Sequence, residues 1–124
     1  MSDLRKQWRE QKAKMAKAGV KMSDIAKELD FGKLLDGYCA AEDAEDKVNG
    51  TEPKKAAKAK ADRVKAAKAA YTAGSNYVGA LHYVEKGYQE MKTKSPEITA
   101  KEKAVSDALT WLAFANNAIH QDTK

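Results

Sequence analysis

The sequence has few of the residues that build disulfide frameworks, turns or sheets. One cysteine, two prolines and seven glycines among 124 residues exclude an internal disulfide and leave few sites for tight turns. Large aliphatic residues are also scarce, since 18 residues are Leu, Ile, Val or Phe whereas 23 are Ala. The abundance of Ala, Lys and Glu favours helix over sheet and predicts a thin core that depends on close packing of small side chains.

Long hydrophobic runs are missing as well. The longest ones, such as Trp111–Ala115, are far shorter than the roughly 20 residues that a membrane-spanning helix requires. Residues Met1–Lys6 are mostly polar or charged, so we expect no secretory signal and a location in the reducing cytoplasm. Cys39 closely follows Leu35 and Tyr38, and this setting predicts a buried core thiol rather than a reactive one.

Residue patterns that carry catalysis or metal binding are not found. A histidine base could come only from His82 or His120, so nucleophilic catalysis has little support. The pair His82-x-x-Glu85 runs in the reverse order to the Glu-x-x-His pairs of dimetal bundles. The acidic run Glu42–Asp46 lacks the alternating ligands of a calcium loop, and we expect lysines of the following helix to neutralise it. We therefore expect no enzyme, metal site or cofactor.

The first half of the chain carries the spacing of amphipathic helices. Leu4, Trp8 and Met15 share one face of a first helix, for which Ser2 is a candidate cap and Gly19 a candidate end. This helix is basic, and a basic amphipathic helix that is loosely packed could instead dock in the groove of a partner. Its other expected role is packing on the bundle through the same three side chains.

Two further segments follow before the middle of the chain. Ser23, with Ile25 and Leu29 behind it, predicts a new helical turn or two. The next helix is predicted over residues 31–48, because apolar residues recur there at three- and four-residue spacing and Asn49-Gly50 is a strong stop signal.

The third helix is predicted over about residues 52–92. Its start is marked by Thr51-Glu52-Pro53, since a proline at the first helical position loses no hydrogen bond. A break in this helix would fall at Gly74-Ser75-Asn76, its weakest point. At 100° per residue its apolar stripe consists of Ala57, Val64, Ala67, Tyr71, Gly74, Val78, Leu81 and Tyr88.

Within residues 71–96, small residues and tyrosines recur at Gly74, Tyr77, Ala80, Tyr83 and Gly87. This stretch resembles one helical hairpin of the tetratricopeptide type, which covers about a fifth of the chain. The spacing from Gly74 to Ala80 is one residue longer than in that family, and no second repeat follows. The resemblance implies that the third helix breaks at Gly74.

The last helix is expected to start either at Ser95-Pro96 or at the capping box Thr99-x-x-Glu102. Because short loops make consecutive helices antiparallel neighbours, the sequence predicts an all-α, antiparallel bundle of about four main helices, forming one domain over residues 1–124. The inner face of the last helix is predicted to hold Val105, Ala108, Leu109, Leu112, Ala115 and Ile119, and Trp111 and Phe114 are expected to widen the buried face.

Charge is segregated along the chain. Residues 1–21 carry a net charge of +5, residues 22–52 carry −6, residues 53–68 carry +6 and residues 69–124 carry zero. Since consecutive helices of such a bundle are neighbours, much of the basic charge can be answered by the acidic segment between the two basic ones.

The basic segment after Pro53 offers a candidate polyanion face. Lys54, Lys58, Lys65 and Lys68 fall within about 80° of one another on a helical wheel and would present a row of lysines to phosphates. Lysine acts as a point charge, and the segment has one arginine and no aromatic residue, so binding to nucleic acid would not read bases. The alternative is a solvated lysine face that keeps an alanine-rich helix in solution.

We expect a non-catalytic module for protein–protein contacts, such as an adaptor, inhibitor or regulatory subunit, because a partner or self-association would stabilise so thin a core. Candidate partner contacts are Trp8 of the basic helix over residues 1–21, Tyr83, which projects away from the apolar stripe, and the adjacent His82. The runner-up is non-specific nucleic-acid binding by the lysine-rich face and the first helix. A third hypothesis is an interhelical pocket for a small ligand or peptide, lined by tyrosines.

Overall fold

A computed structural model describes residues 2–20, 31–48, 50 and 52–123, and over these ranges the chain forms four α-helices and no strand. The predicted all-α fold with four main helices is confirmed. The start predicted at Ser23 lies outside the described residues. None of the helices in these ranges is long and apolar enough to cross a membrane. The helices are α1 (Ser2–Lys17), α2 (Phe31–Val48), α3 (Pro53–Gln89) and α4 (Pro96–Gln121).

Two glycines end the first two helices as predicted. Gly19 follows α1 with a φ of 89° and Gly50 follows α2 with a φ of 81°, both in the left-handed region that favours glycine. The amide of Gly19 donates to the carbonyl of Ala16, and the amide of Val20 donates to that of Met15 at 2.9 Å. These two bonds form a Schellman cap, and the burial of Met15 and Val20 anchors it in the core.

Proline marks the beginning of the two long helices. Pro53 stands in the first turn of α3 and Pro96 in the first turn of α4, where the missing amide leaves no hydrogen bond unmade. Ser95 caps α4, because its hydroxyl oxygen accepts a hydrogen bond from the amide of Ile98 at 3.3 Å. Of the two starts predicted for the last helix, the structure therefore has the one at Ser95 and not the one at Thr99.

The helices close a ring in which α1 lies beside α2 and α4, and α3 lies beside the same two helices. Along α3, Arg63 meets Glu45 near the end of α2, whereas Gly74 approaches Phe31 at the start of α2. The two helices therefore run antiparallel, as predicted. The same reversal relates α1 to α4, where Gln7 meets Trp111 and Gly19 approaches Lys101.

Trp8 joins the four helices at the centre of the core. Its ring meets Phe31 of α2 edge to face, with centroids 5.1 Å apart, and Tyr77 of α3 in the same way at 4.9 Å. It also stacks on Trp111 of α4 at 5.6 Å, and the Trp111 indole nitrogen donates to Gln7 Oε1 of α1 at 2.8 Å. Edge-to-face and offset-stacked pairs are the arrangements that the aromatic quadrupole favours.

The prediction of Trp8 as a partner contact is wrong. Its side chain is 2% exposed, so no partner can reach it in this fold. Leu4 and Met15 are buried beside it in the same core cluster, as the shared helical face predicts. The basic character of α1 is compatible with a docking helix, but the apolar face of α1 instead packs within the bundle.

Helix α3 is unbroken from Pro53 to Gln89, so the break at Gly74 and the hairpin that the tetratricopeptide resemblance implies are both wrong. Gly74 is buried, and a Cβ built on it would lie 2.2 Å from Asn116 Oδ1 of α4 and 3.0 Å from the ring of Phe31. The glycine is thus required by close approach of helices and not by a turn. Tertiary packing offsets the low helix propensity of glycine at this position.

The prediction for the buried face of α4 is correct for its central residues but wrongly includes Phe114. Phe114 is 61% exposed, because it lies about 180° around the helix from the buried Val105, whereas both neighbouring helices pack on the inner side. Trp111 is half-buried against α1. The residues confirmed as buried are Val105, Ala108, Leu109, Leu112, Ala115 and Ile119.

Replacement of Gly74 by alanine tests the close approach of α3 and α4. We expect Gly74→Ala to lower the free energy of unfolding by about 1–3 kcal/mol, because Asn116 and Phe31 must shift to admit the methyl group. Gly79→Ala is the matched control in the same helix, since nothing lies within 4 Å of its Cβ position. That control should raise stability by about 0.5–1 kcal/mol. Urea unfolding followed by circular dichroism measures both, and equal effects would contradict the packing explanation.

Candidate functional site

Helix α3 is much longer than its neighbours, and its first turns extend beyond α4. It has 37 residues, or roughly 55 Å, against 26 residues for α4. The last turn of α4 reaches only the middle of α3, where the ring of His120 packs on that of Tyr71 at 4.8 Å. We call residues 53–68, which precede this contact, the α3 extension. On one side of that part of the chain lies α2, and Asp122 after α4 still reaches Arg63, but the exposed Ala57 and Ala61 show that the described helices leave the α4 side of the first turns uncovered.

The predicted lysine-rich face lies on the α3 extension. Lys54, Lys58, Lys65 and Lys68 are all exposed. None of the four takes part in an ion pair or hydrogen bond with another residue in the described part of the chain. At 1.5 Å per residue they form a row about 21 Å long, which we call the lysine row. Within the described part of the chain, the cationic groups of the row are thus left to solvent.

A shallow apolar groove runs along the open side of the extension. Ala57 and Ala61 are exposed there, and Val64 is half-buried. Ala57, Val64 and Tyr71 follow each other at seven-residue intervals on one face, but only Tyr71 is covered by α4. Ala57 belongs to the apolar stripe predicted for α3 but is exposed, because none of the described helices covers the stripe at that level. We call this surface the extension groove; it is lined by Ala57, Lys60, Ala61, Val64, Lys65 and Lys68.

A second alanine-lined groove lies on the other side of the lysine row, between α2 and α3. On α2 it is formed by Ala40, Ala41, Ala44 and Val48, which face Ala59 of α3. The chain thus places small apolar residues on both sides of a row of unpaired cations. Such a mixture of cationic and apolar surface fits a protein ligand with acidic and apolar side chains better than a phosphate backbone, which offers no apolar contact.

The other two candidate contacts lie away from the lysine row. Tyr83 is 81% exposed, as predicted from its position on the helical wheel, and the His82 side chain is 62% exposed. His82 Nδ1 lies 3.7 Å from Glu85 Oε1 one turn further on. Tyr83 is about 22 Å along α3 from Lys68, so the structure does not bring these residues into one site with the row. Their role as partner contacts stays a prediction.

The tyrosines proposed to line a ligand pocket have other surroundings. Tyr77 is fully buried in the aromatic core, and Tyr71 packs on His120. Tyr83 is exposed to solvent. These positions favour packing roles for Tyr71 and Tyr77 and give no support to a pocket between helices.

Arg63 links helices of the bundle, and the sequence alone did not single it out. Its Nε donates to Glu45 Oε2 of α2 at 2.7 Å, and its Nη1 forms an ion pair with Asp122 Oδ1, after α4, at 3.1 Å. The hydroxyl of Tyr38 donates to the other oxygen of Asp122. The Arg63 side chain, only 16% exposed, therefore ties α2, α3 and the end of α4 together within the α3 extension.

Two carboxylates of the acidic run of α2 pair with arginines, whereas lysines of the following helix were expected. Arg63 answers Glu45, and Arg5 of α1 lies 3.7 Å from Asp43 Oδ2. The planar, forked guanidinium can hold two carboxylates at once, which the point charge of a lysine does less well. The one arginine in a lysine-rich segment was the signal in the sequence. Because Arg63 pairs with Glu45 and Asp122, the lysines of the lysine row are not needed to neutralise these two carboxylates.

Two groups near this cluster have altered acidity. Burial, and then the hydrogen bond to Asp122, raise the pKa of the Tyr38 hydroxyl. Burial also raises the pKa of the Glu42 carboxyl, one oxygen of which is buried without a hydrogen-bond partner. In the same helix, burial raises the pKa of the Cys39 thiol and disfavours the reactive thiolate, in line with its predicted core position.

Metal binding finds no support at these carboxylates. In the ranges that the structure describes, no group of three His, Cys, Asp or Glu side chains is placed to hold a metal ion. The ion pairs of Arg63 with Glu45 and Asp122 make this cluster a junction between α2, α3 and the end of α4.

Comparison of the chain with protein-family models, curated proteins and solved structures gave no match. The candidate function therefore rests on the chemistry of the described surface alone.

The Glu42 carboxyl gives a pH-dependent prediction. Its pKa is raised in the folded state, so folded chains bind its proton more tightly than unfolded chains do, and its contribution to stability improves as the pH falls through that raised pKa. We therefore expect Glu42→Gln to raise the free energy of unfolding at about pH 7 and to lose this advantage near pH 4.5. Urea unfolding at the two pH values measures the difference.

The control for this prediction is Asp46→Asn, since Asp46 is an exposed carboxylate one turn further along α2. It should show little of the pH-dependent gain. Destabilisation of the folded state by Glu42→Gln at neutral pH would show that the ionised Glu42 carboxylate is stabilising and would contradict the argument from burial.

Proposed function

We propose that this protein is a non-catalytic protein-interaction module, an adaptor or regulatory subunit, that binds its partner through the α3 extension. The observation that carries the proposal is the apolar face of α3 that the described helices leave uncovered, beside four exposed lysines that have no ion-pair partner among the described residues. The first turns of α3 pack on α2 on one side, whereas the side that bears Ala57 and Ala61 is exposed in the described bundle. The buried thiol of Cys39 is suited to the reducing cytoplasm that we propose as its location.

Three features of the extension favour a protein over a nucleic acid as ligand. The cations are lysines, which do not make the forked contacts that read guanine. The one arginine of the segment, Arg63, is occupied by Glu45 and Asp122. The residues beside the row are alanine and valine rather than the aromatic side chains on which bases stack.

Affinity capture with a charge variant tests the proposed function. We expect the quadruple variant Lys54→Gln, Lys58→Gln, Lys65→Gln, Lys68→Gln to retain the partner about tenfold less well than the native chain, as four exposed charge contacts are worth about 1.4 kcal/mol together. Nuclease-treated extract of the source cells is passed over each immobilised protein, and quantitative mass spectrometry compares the proteins retained.

The matched control removes four exposed lysines elsewhere, by Lys14→Gln, Lys17→Gln, Lys86→Gln and Lys92→Gln, and so changes the net charge equally. Loss of a partner from the lysine-row variant but not from this control supports the proposal. Identical sets of proteins on both variants would overturn the α3 extension as the binding surface.

Non-specific nucleic-acid binding is the second candidate, because all four lysines of the row are exposed and unpaired. If the four meet phosphates, counterion release predicts a slope of about −3.6 for log affinity against log salt, or roughly a hundredfold loss between 50 and 200 mM. Fluorescence anisotropy of a labelled duplex and a labelled single strand measures that slope. Flat anisotropy at low salt would rule this candidate out and leave protein binding as the function of the row.

A further inference from the structure

We propose that the partner presents an acidic amphipathic helix, which lies in the extension groove and occupies the position that α4 leaves open. This inference rests on the proposed function and specifies the chemistry of the partner. It is carried by three observations: where α4 ends, which residues the end of α4 leaves uncovered, and the charge around them.

The end of α4 leaves one place of the four-helix ring open. At the level of Gly74, α3 is flanked by Phe31 of α2 and Asn116 of α4. One turn earlier, Tyr71 still meets His120. Two further turns toward the start of α3, Asp122 after α4 still pairs with Arg63, but Ala61 and Ala57 are exposed, and among the described residues those that line the groove all belong to α3. A helix from another protein would continue the packing of α4 along the same face.

The residues on that face permit close contact between helices. Ala57, Ala61 and Val64 lie three or four residues apart, which is the spacing of one ridge on a helix surface. Small side chains let two helix axes approach to about 8–10 Å, so an incoming helix with leucine or similar residues on one side could bury them there. This face has the same seven-residue repeat that continues into Tyr71, where α4 packs.

The positive charge around the groove favours an acidic occupant. Lys65 and Lys68 border it on the side of the lysine row, and Lys60 borders it on the other side. In the described part of the chain none of these three has an ion-pair partner. A helix seated between them would be stabilised by glutamate or aspartate along both edges of its apolar face, and a basic helix would be repelled.

Binding of designed peptides to the full chain tests this inference. The probe is a fluorescein-labelled 21-residue peptide with leucines at the a and d positions of three heptads and glutamates elsewhere, except for helix-promoting alanines. The comparison peptide has the same composition in an order without an apolar face. We expect the patterned peptide to bind about tenfold more tightly than the scrambled one, as its leucines bury apolar area in the groove.

Substitution of the groove residues separates apolar docking from charge attraction. Ala57→Gln with Ala61→Gln fills the groove without changing its charge, and should remove most of the advantage of the patterned peptide. Ala40→Gln with Ala44→Gln is the matched control, because these two alanines are also exposed, are also four residues apart and line the groove between α2 and α3. Circular dichroism of each variant verifies that the bundle is folded.

Each outcome decides between the two proposals. Loss of the patterned peptide's advantage in Ala57→Gln/Ala61→Gln alone supports the inference. Equal affinity for patterned and scrambled peptides would overturn the amphipathic helix while leaving a charged protein partner in place. Binding of neither peptide at low salt would overturn the inference as well. If capture then also shows no partner that depends on the lysine row, the proposed function falls with it.

Discussion

The packing of Trp8 against one aromatic ring from each of the other three helices is the interaction on which the rest of the structure depends. Few large side chains are available in this sequence, so the core is concentrated where Phe31, Tyr77 and Trp111 converge on the indole ring. Away from that point buried alanines lie beside aliphatic residues such as Leu35, Leu81 and Leu112, and the alanines bring helix backbones close together. At Gly74, which has no side chain, α4 approaches α3 closely for the same reason.

Local signals in the sequence were sufficient for most helix boundaries. Pro53, Ser95-Pro96, Gly19 and Gly50 act within one or two turns, and their effects do not depend on distant residues. Gly74 shows the limit of such reasoning, because glycine can serve a turn or a close contact and only the position of Asn116 distinguishes the two. Phe114 shows another limit, since the width of a buried face depends on how many helices pack against it.

The candidate surface was predictable in its charge and not in its extent. The spacing of Lys54, Lys58, Lys65 and Lys68 places them on one face of any continuous helix, and the structure has them there. What the sequence could not show is that Ala57 and Val64 are left uncovered, because this follows from the point along α3 at which α4 ends. The role of Arg63 could not be predicted from the sequence either, because it depends on Glu45 and Asp122, which lie 18 and 59 residues away in the chain.

The continuity of α3 has a mechanical consequence. One unbroken helix belongs both to the aromatic core and to the α3 extension, and Arg63, within the extension, pairs with carboxylates of α2 and of the end of α4. A ligand held on the extension would therefore keep a fixed distance and direction from the bundle. The protein would act as a rigid spacer rather than a flexible tether, and any second molecule held on the bundle would be oriented with respect to the first.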